Sequence, residues 1–257
     1  MLEIHDLLFE YADGTRVFEG FSWQVERGEA WAVLGPSGCG KTTLLYLLAG
    51  LLHPTAGGVL VNGEPLVRPR PRTGLILQDY GLLPWATVAE NASLGLQVRA
   101  FYGPDGRHAP QDDDQGAALE RVNPWLERLG LNALKHQYPS QLSGGQRQRT
   151  AIARTLALNP DLLLMDEPFA SLDVPTRESL QDLILELWRE HNLTTITVTH
   201  TIEEAAILGG KILVLLDPPN TSGRIIENSN WGSPEYRQSD AYQRTAARLR
   251  AALEART

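Results

Sequence analysis

The chain has 257 residues, a formal net charge of −8 and a single cysteine, which suits one large α/β domain or a core with a subdomain. The acidic balance argues against a protein whose main work is holding nucleic acid. One cysteine excludes an internal disulfide framework and fits a reducing compartment. The start, Met1-Leu2-Glu3-Ile4-His5-Asp6, carries no visible targeting signal. The longest apolar stretch, Leu44 to Leu52, falls short of the roughly 20 residues that a membrane span requires. Membrane association is therefore expected through a partner only.

Residues 2–10 and 15–26 read as two strands joined by a turn at Ala12-Asp13-Gly14. Tyr11 closes the first strand; on spacing alone its ring suits adenine stacking or a core or hairpin aromatic equally. The apolar run Ala30 to Leu34 leads into Gly35-Pro36-Ser37-Gly38-Cys39-Gly40-Lys41-Thr42-Thr43, and a second apolar run begins at Leu44. This is the strand, glycine-rich loop and helix of a phosphate-binding P-loop. Glycines let the backbone turn tightly and aim successive N–H groups inward, and the helix offers its positive end to an anion. Lys41 is expected to reach the β- and γ-phosphates and the Thr42 hydroxyl to ligate Mg²⁺. Cys39 reads as a small residue at a variable position.

Beyond the P-loop helix, Pro54 to Gly58 breaks the chain, and Val59 to Gly63 reads as a strand with a turn. Pro65 to Arg72 is expected to be a solvated connection, and Gly74 to Leu77 a buried strand ending on Gln78. The apolar group Leu82-Leu83-Pro84-Trp85 suits either a core or an exposed interface. Residues 87–100 read as a helix capped by Thr87 with Glu90 three positions on. Tyr102 to Gln115, with Asp112-Asp113-Asp114, reads as a solvated loop before a helix over Ala117 to Leu129. Leu142 to Leu158 has a glycine-rich entry and then a helix. Leu162 to Met165 is a buried strand ending in Asp166-Glu167, followed by a helix over 176–190 and a strand over Thr194 to Thr199 that ends at His200. Late strands are expected over Lys211 to Leu216 and Gly223 to Ile226, with a charged helix or frayed tail from Pro234. Strands alternating with helices imply a mostly parallel sheet with its site at the strands' C-terminal edge.

Two further motifs bear on chemistry. Asp166 and Glu167 emerge at the mouth of a buried strand. Asp166 suits a Mg²⁺ shell, and Glu167 suits orienting and deprotonating the attacking water. Leu142-Ser143-Gly144-Gly145-Gln146 opens a helix with free N–H groups and a hydroxyl, a second place for an anion.

With that last motif the sequence resembles the ATP-binding cassette family, whose signature is identical to Leu142–Gln146. The resemblance spans nearly the whole chain and implies an α/β P-loop NTPase core with a mostly parallel sheet, an antiparallel β subdomain and a helical signature subdomain. The expected division is a RecA-like core over about 1–85 and 160–230, a helical subdomain over about 86–159 and a C-terminal tail over about 234–257. By resemblance, Gln78 is the glutamine that touches Mg²⁺ and attacking water and links the site to a membrane partner. Ser171-Leu172-Asp173 is the D-loop, His200 the switch histidine at the γ-phosphate, and Tyr11 the adenine-stacking aromatic. Catalysis is thus expected of Glu167, His200 and Gln78, metal binding of Thr42, Gln78 and Asp166, and ATP binding of Tyr11 and residues 35–43. Two cassettes of this family bind head to tail, each ATP lying between one copy's P-loop and the other's signature.

The segment Leu82-Leu83-Pro84-Trp85 resembles importers of nitrate, sulfonates, taurine and related solutes. That implies an ATPase subunit working at the cytoplasmic face of the cell membrane with a separate permease and a solute-binding protein. Three departures bear on the substrate group: Thr201 after the histidine, where relatives often carry aspartate, Gly209-Gly210-Lys211 where Asp-Arg is common, and the enlarged loop 102–115. The alternatives are a soluble cassette acting on DNA or ribosomes, which usually shows a coiled-coil insertion, tandem cassettes or a basic surface, and a P-loop kinase, which leaves Ser143–Gln146 and His200 without a task.

Overall fold

The computed structural model describes residues 1–113, 116–170, 172–233 and 235–254. The chain divides into two compact units: Met1–Pro69 with Leu164–Glu167 and Leu183–Thr257, and Arg70–Leu163 with Pro168–Asp182.

In the first unit, β1 (Leu2–Glu10) pairs antiparallel with β2 (Arg16–Val25) and with β4 (Ala56–Val61). β4 in turn carries the two-residue β5 (Glu64–Pro65). Alternation puts Leu2, Ile4, Phe21, Trp23 and Val25 inside. The second sheet of this unit is built on β3 (Ala30–Leu34), which pairs parallel with β8 (Thr194–Thr199) on one side and β9 (Lys211–Val214) on the other. β10 (Arg224–Glu227) closes the edge antiparallel to β9. β3 and β8 are buried at every position, as expected of parallel strands covered on both faces.

Helix α1 (Lys41–Leu48) follows β3, and α6 (Ile202–Leu208) follows β8. The C-terminal helix α7 (Asp240–Glu254) is no frayed tail. Leu249 and Ala252, fully or nearly fully buried, join Leu34, Ala206, Ile212 and Ile226 in one apolar cluster. Asn228 anchors the approach to it, donating to the carbonyls of Ala206 and Gly209 (both 2.7 Å) while its oxygen accepts from Tyr236 and from Thr245 at 3.0 Å. The glycines at 209–210 have a steric cause: a Cβ at Gly210 would lie 2.2 Å from the Trp231 indole, and one at Gly209 2.8 Å from the Ala32 side chain.

The second unit holds β6 (Thr73–Ile76), α2 (Val88–Tyr102), α3 (Ala118–Arg128) and α4 (Gly144–Leu156). β7 (Leu162–Asp166) crosses from this unit to the first, and so does α5 (Val174–His191). α2 starts on the expected box: the Glu90 N–H donates to the Thr87 hydroxyl at 3.3 Å, and Glu90 accepts from the Thr87 N–H at 2.7 Å.

Two loops expected to be solvated are largely exposed but anchored at single points. Arg70 makes a double contact with Asp161 (2.9 and 3.1 Å), so the proline-and-arginine connection is tied down. Asp113, only 5% exposed at its side chain, pairs with Arg99 at 2.9 Å and Arg121 at 3.2 Å, and Arg72 binds Asp112. A buried carboxylate persists only with such partners. Asp114 and Gln115 lie outside the described residues, and no cluster of metal-binding side chains occurs among the described ones.

Candidate functional site

The P-loop occupies the turn from β3 into α1. Gly38 and Gly40 have φ of 82° and 101°, the left-handed region that favours glycine. Gly35 is required for another reason: a Cβ there would sit 2.5 Å from the Leu215 carbonyl and 2.6 Å from the Cys39 sulfur. Lys41, 6% exposed, donates from Nζ to the carbonyls of Gly35 and Pro36, both at 2.8 Å. Its ammonium is thereby held over the loop. Cys39 is buried, and that burial pushes its thiol pKa up, against the opposing pull of Lys41. Asn220, read from sequence only as part of a late turn, donates to the Cys39 carbonyl at 2.8 Å and pins the loop to the strands beneath. Ser37 and Thr42 are exposed, Pro36 half-buried and Thr43 buried. The Tyr11 hydroxyl bonds the Thr43 hydroxyl at 2.7 Å, so the ring stands beside α1, stacked edge-on against Phe9 and 41% exposed.

At the end of β7 the two carboxylates part company. Asp166 is 5% exposed and accepts from the Thr42 hydroxyl at 3.3 Å. Burial raises its pKa above the ordinary carboxylate range, and the charge of Glu167 adds to that, while Thr42 and Lys41 oppose it. Glu167 stands in the left-handed region (φ 43°), an uncommon conformation for a residue with a Cβ. Its N–H donates to the Val198 carbonyl at 2.9 Å, which turns the carboxylate toward the end of β8. There His200 Nδ1 lies 3.0 Å from Glu167 Oε2.

His200 is set by its neighbours. The Thr199 hydroxyl donates to buried Glu204 at 2.6 Å and accepts from the Thr201 N–H at 3.1 Å. Thr201 then caps α6 by accepting from the Glu204 N–H. A threonine thus serves as the N-cap, where any short oxygen-bearing side chain suffices.

The Thr42 hydroxyl and the Asp166 carboxylate form a hard oxygen pair of the kind Mg²⁺ takes, beside a buried ammonium and a glycine loop in which a Cβ at Gly38 would face open space. The donor set therefore fits a Mg²⁺–nucleotide. The first unit brings together Lys41, Thr42, Thr43, Tyr11, Asp166, Glu167 and His200.

The remaining expected residues belong to the second unit. Ser143 caps α4: its hydroxyl accepts from the Gln146 N–H at 3.3 Å, and the Ser143 N–H donates to Gln146 Oε1 at 2.8 Å. The Ser143 side chain is exposed, Leu142 and Gly145 are buried, and Gly144 and Gln146 are half-buried. Gly145 admits no side chain, since a Cβ would meet the Thr176 methyl at 2.5 Å. That approach joins the signature turn to the start of α5, where Asp173 accepts from the Thr176 N–H at 3.0 Å and Arg177 donates to the Leu172 carbonyl at 2.9 Å. Ser171 lies outside the described residues. Gln78 is exposed just past β6. Trp85 is 74% exposed, which settles its segment as surface rather than core.

A P-loop opening on an acidic strand end, with a histidine on the adjacent strand, defines a nucleotide-triphosphate hydrolase of the P-loop class. Residues 18–170 match the ABC transporter family, and the chain belongs to that family, whose ATP-binding subunits hydrolyse ATP. It is similar to the aliphatic sulfonates import ATP-binding protein SsuB of Bacillus anthracis, 35% identical over 96% of this chain and 92% of that one. The taurine import ATP-binding protein TauB of Yersinia pestis is 40% identical over 88% of this chain and 83% of its own. Among solved structures, CbiO1 of Clostridium perfringens, part of the transporter complex CbiONQ, superposes with a TM-score of 0.75 at 27% identity, covering 97% and 94% of the two chains. The cassette MJ0796, a dimer bound to ADP and phosphate after hydrolysis, gives 0.73 at 29% identity over 88% and 98%.

Proposed function

We propose that the chain is the ATP-hydrolysing subunit of an importer for a small organic or inorganic solute of the sulfonate, taurine or nitrate kind, working through a separate permease. The names of its relatives support the solute class. The alternative role on DNA or ribosomes has no comparable support. Among the described residues no helix is long and apolar enough to cross a membrane, so membrane placement rests on the permease, at the cytoplasmic face, with a solute-binding protein delivering the cargo. Exposed Trp85 supplies an aromatic anchor for the permease.

In this reading Lys41 and the loop N–H groups hold the phosphates, Tyr11 stacks on the adenine, and Thr42 and Asp166 would hold Mg²⁺, while Gln78 keeps the role in Mg²⁺ and water binding that the family resemblance implies. Bound Mg²⁺ supplies charge neutralisation on the β- and γ-phosphates. Glu167 orients water and accepts its proton, and His200, 3.0 Å from it, donates to the γ-phosphate and keeps the carboxylate aimed. A second copy, bound head to tail, brings Ser143–Gln146 to the same nucleotide, and Leu172 and Asp173 belong to the segment that the family resemblance makes the D-loop. ATP then favours the closed dimer through γ-phosphate interactions that hydrolysis removes. The helical region about 86–159 carries the signature, and the strands about 1–85 and 160–230 carry the nucleotide.

The observation that carries the reading is the placement of Glu167: strained backbone, N–H tied to Val198, and carboxylate turned to His200. Glu167→Gln keeps the shape and removes the base. Turnover is expected to fall at least about 100-fold with ATP affinity unchanged, and ATP to trap a dimer on gel filtration. Undiminished turnover would refute the assignment.

A further inference from the structure

Within the second unit, the turn that follows Gln78 is built in a way the nucleotide chemistry does not explain. Tyr80 and Gly81 have consecutive positive φ of 63° and 57°. A tyrosine in that region carries backbone strain that its surroundings must offset. The offset comes from α4. Arg154 donates from Nη1 to the Gly81 carbonyl at 2.5 Å and from Nη2 to the Tyr80 carbonyl at 2.7 Å. Immediately after the signature, Arg147 places its guanidinium 5.8 Å from the centre of the Tyr80 ring and donates to the Leu142 carbonyl at 2.8 Å.

Arg154 is an expensive way to hold a turn. Burial lowers its pKa, and among the described residues its guanidinium meets carbonyl oxygens alone, with no carboxylate within ion-pair distance. A half-buried cation whose hydrogen bonds go to carbonyl oxygens alone is kept where its fork geometry is needed. The interactions form one continuous path: Arg154 to the carbonyls of Tyr80 and Gly81, the Tyr80 ring to Arg147, and Arg147 to Leu142, the first residue of the signature.

We propose that Arg154 is a positioning residue that, with Arg147, locks the turn after Gln78 to the signature helix so that the two move as one body. The functional part rests on the proposed roles of Gln78 and Ser143–Gln146 in ATP hydrolysis. A push on the exposed segment Leu82–Trp85, which Asn91 fastens by accepting from the Leu83 N–H and donating to the Ala86 carbonyl, is then delivered to Ser143. Any side chain that frees the turn leaves the P-loop intact but lets the signature drift.

Amide hydrogen exchange on the purified full chain tests the link directly. In Arg154→Ala, exchange is expected to rise at least about tenfold at 79–82 and together with it at 143–149, the scale of losing a charged hydrogen bond. Arg154→Lys is expected to behave like alanine, because one ammonium cannot reproduce the two-pronged contact. Tyr80→Gly relieves the backbone and keeps both carbonyl acceptors but removes the ring under Arg147. It should loosen 143–149 while 79–82 stays protected. For turnover, Arg154→Ala should lower kcat about tenfold with KM for ATP within about twofold. Loosening confined to 79–82 in Arg154→Ala, or full protection restored by lysine, overturns the proposal. A parent chain without ATPase activity speaks against the ATP-hydrolysis reading instead and leaves the exchange measurement to decide the link.

Discussion

The two glycine-rich turns of this chain are built on opposite plans. The P-loop is enclosed: Lys41 is buried, Gly35 is packed against Leu215 and Cys39, and Asn220 pins the Cys39 carbonyl from below. The signature turn is braced from behind, by Thr176 at Gly145 and by Arg147 at Leu142, while the Ser143 side chain is exposed. The first plan holds a ligand within one chain. The second fixes a set of donors and presents them outward, which is what a half-site offered to another molecule requires.

The contrast predicts how each turn fails. Lys41→Ala should weaken ATP binding by the single chain about 100-fold, since a buried charged donor is lost; nucleotide titration of the monomer measures it. Ser143→Arg should leave that affinity within about twofold yet reduce turnover to background, because the half-site offered to a second copy is blocked. An equal loss of monomer affinity in both variants would erase the distinction.

Smaller effects sharpen it. Trp85→Ala should weaken assembly with the permease about 30-fold, the scale of an aromatic anchor. Basal ATPase and Tm should stay near the parent, because the ring is 74% exposed. Asp166→Asn should abolish Mg²⁺-dependent turnover while stabilising the fold. Burial raises the Asp166 pKa, so the folded state disfavours the ionised form, and the group's contribution to stability falls as pH rises through that raised pKa. The amide removes this cost, so Tm at neutral pH should rise. The gain should shrink as pH is lowered into the carboxylate range, and thermal melts at several pH values check it.

Much of this was legible in the sequence because short motifs carry their own physics. Spacing alone placed the P-loop, the Asp166–Glu167 strand end, the capped start of α2 and the glycine-rich entry of α4, though not the Ser143 cap on it. Long-range partners were not legible. Nothing near Asp113 announces that Arg99 and Arg121 will bury it, and nothing near Arg154 announces that its acceptors are the carbonyls of Tyr80 and Gly81. Backbone carbonyls have no sequence identity, so a side chain that serves them leaves no pattern. The tail was the opposite case: Tyr242, Thr245, Leu249 and Ala252 recur at helical spacing, a stripe that the charged residues between them obscure. The early start of α5 follows from Asp173 capping it at Thr176, a signal that was present in the sequence as an aspartate three residues before a threonine.

Mixing two inactive variants tests the central claim most directly. Lys41→Ala chains have intact signatures, and Ser143→Arg chains have intact P-loops. If each ATP is held by one copy's P-loop and the other's signature, an equimolar mixture forms about half mixed dimers, each with one of two sites whole, and recovers about one quarter of parental turnover. A mixture that stays as inactive as either variant alone would contradict the account.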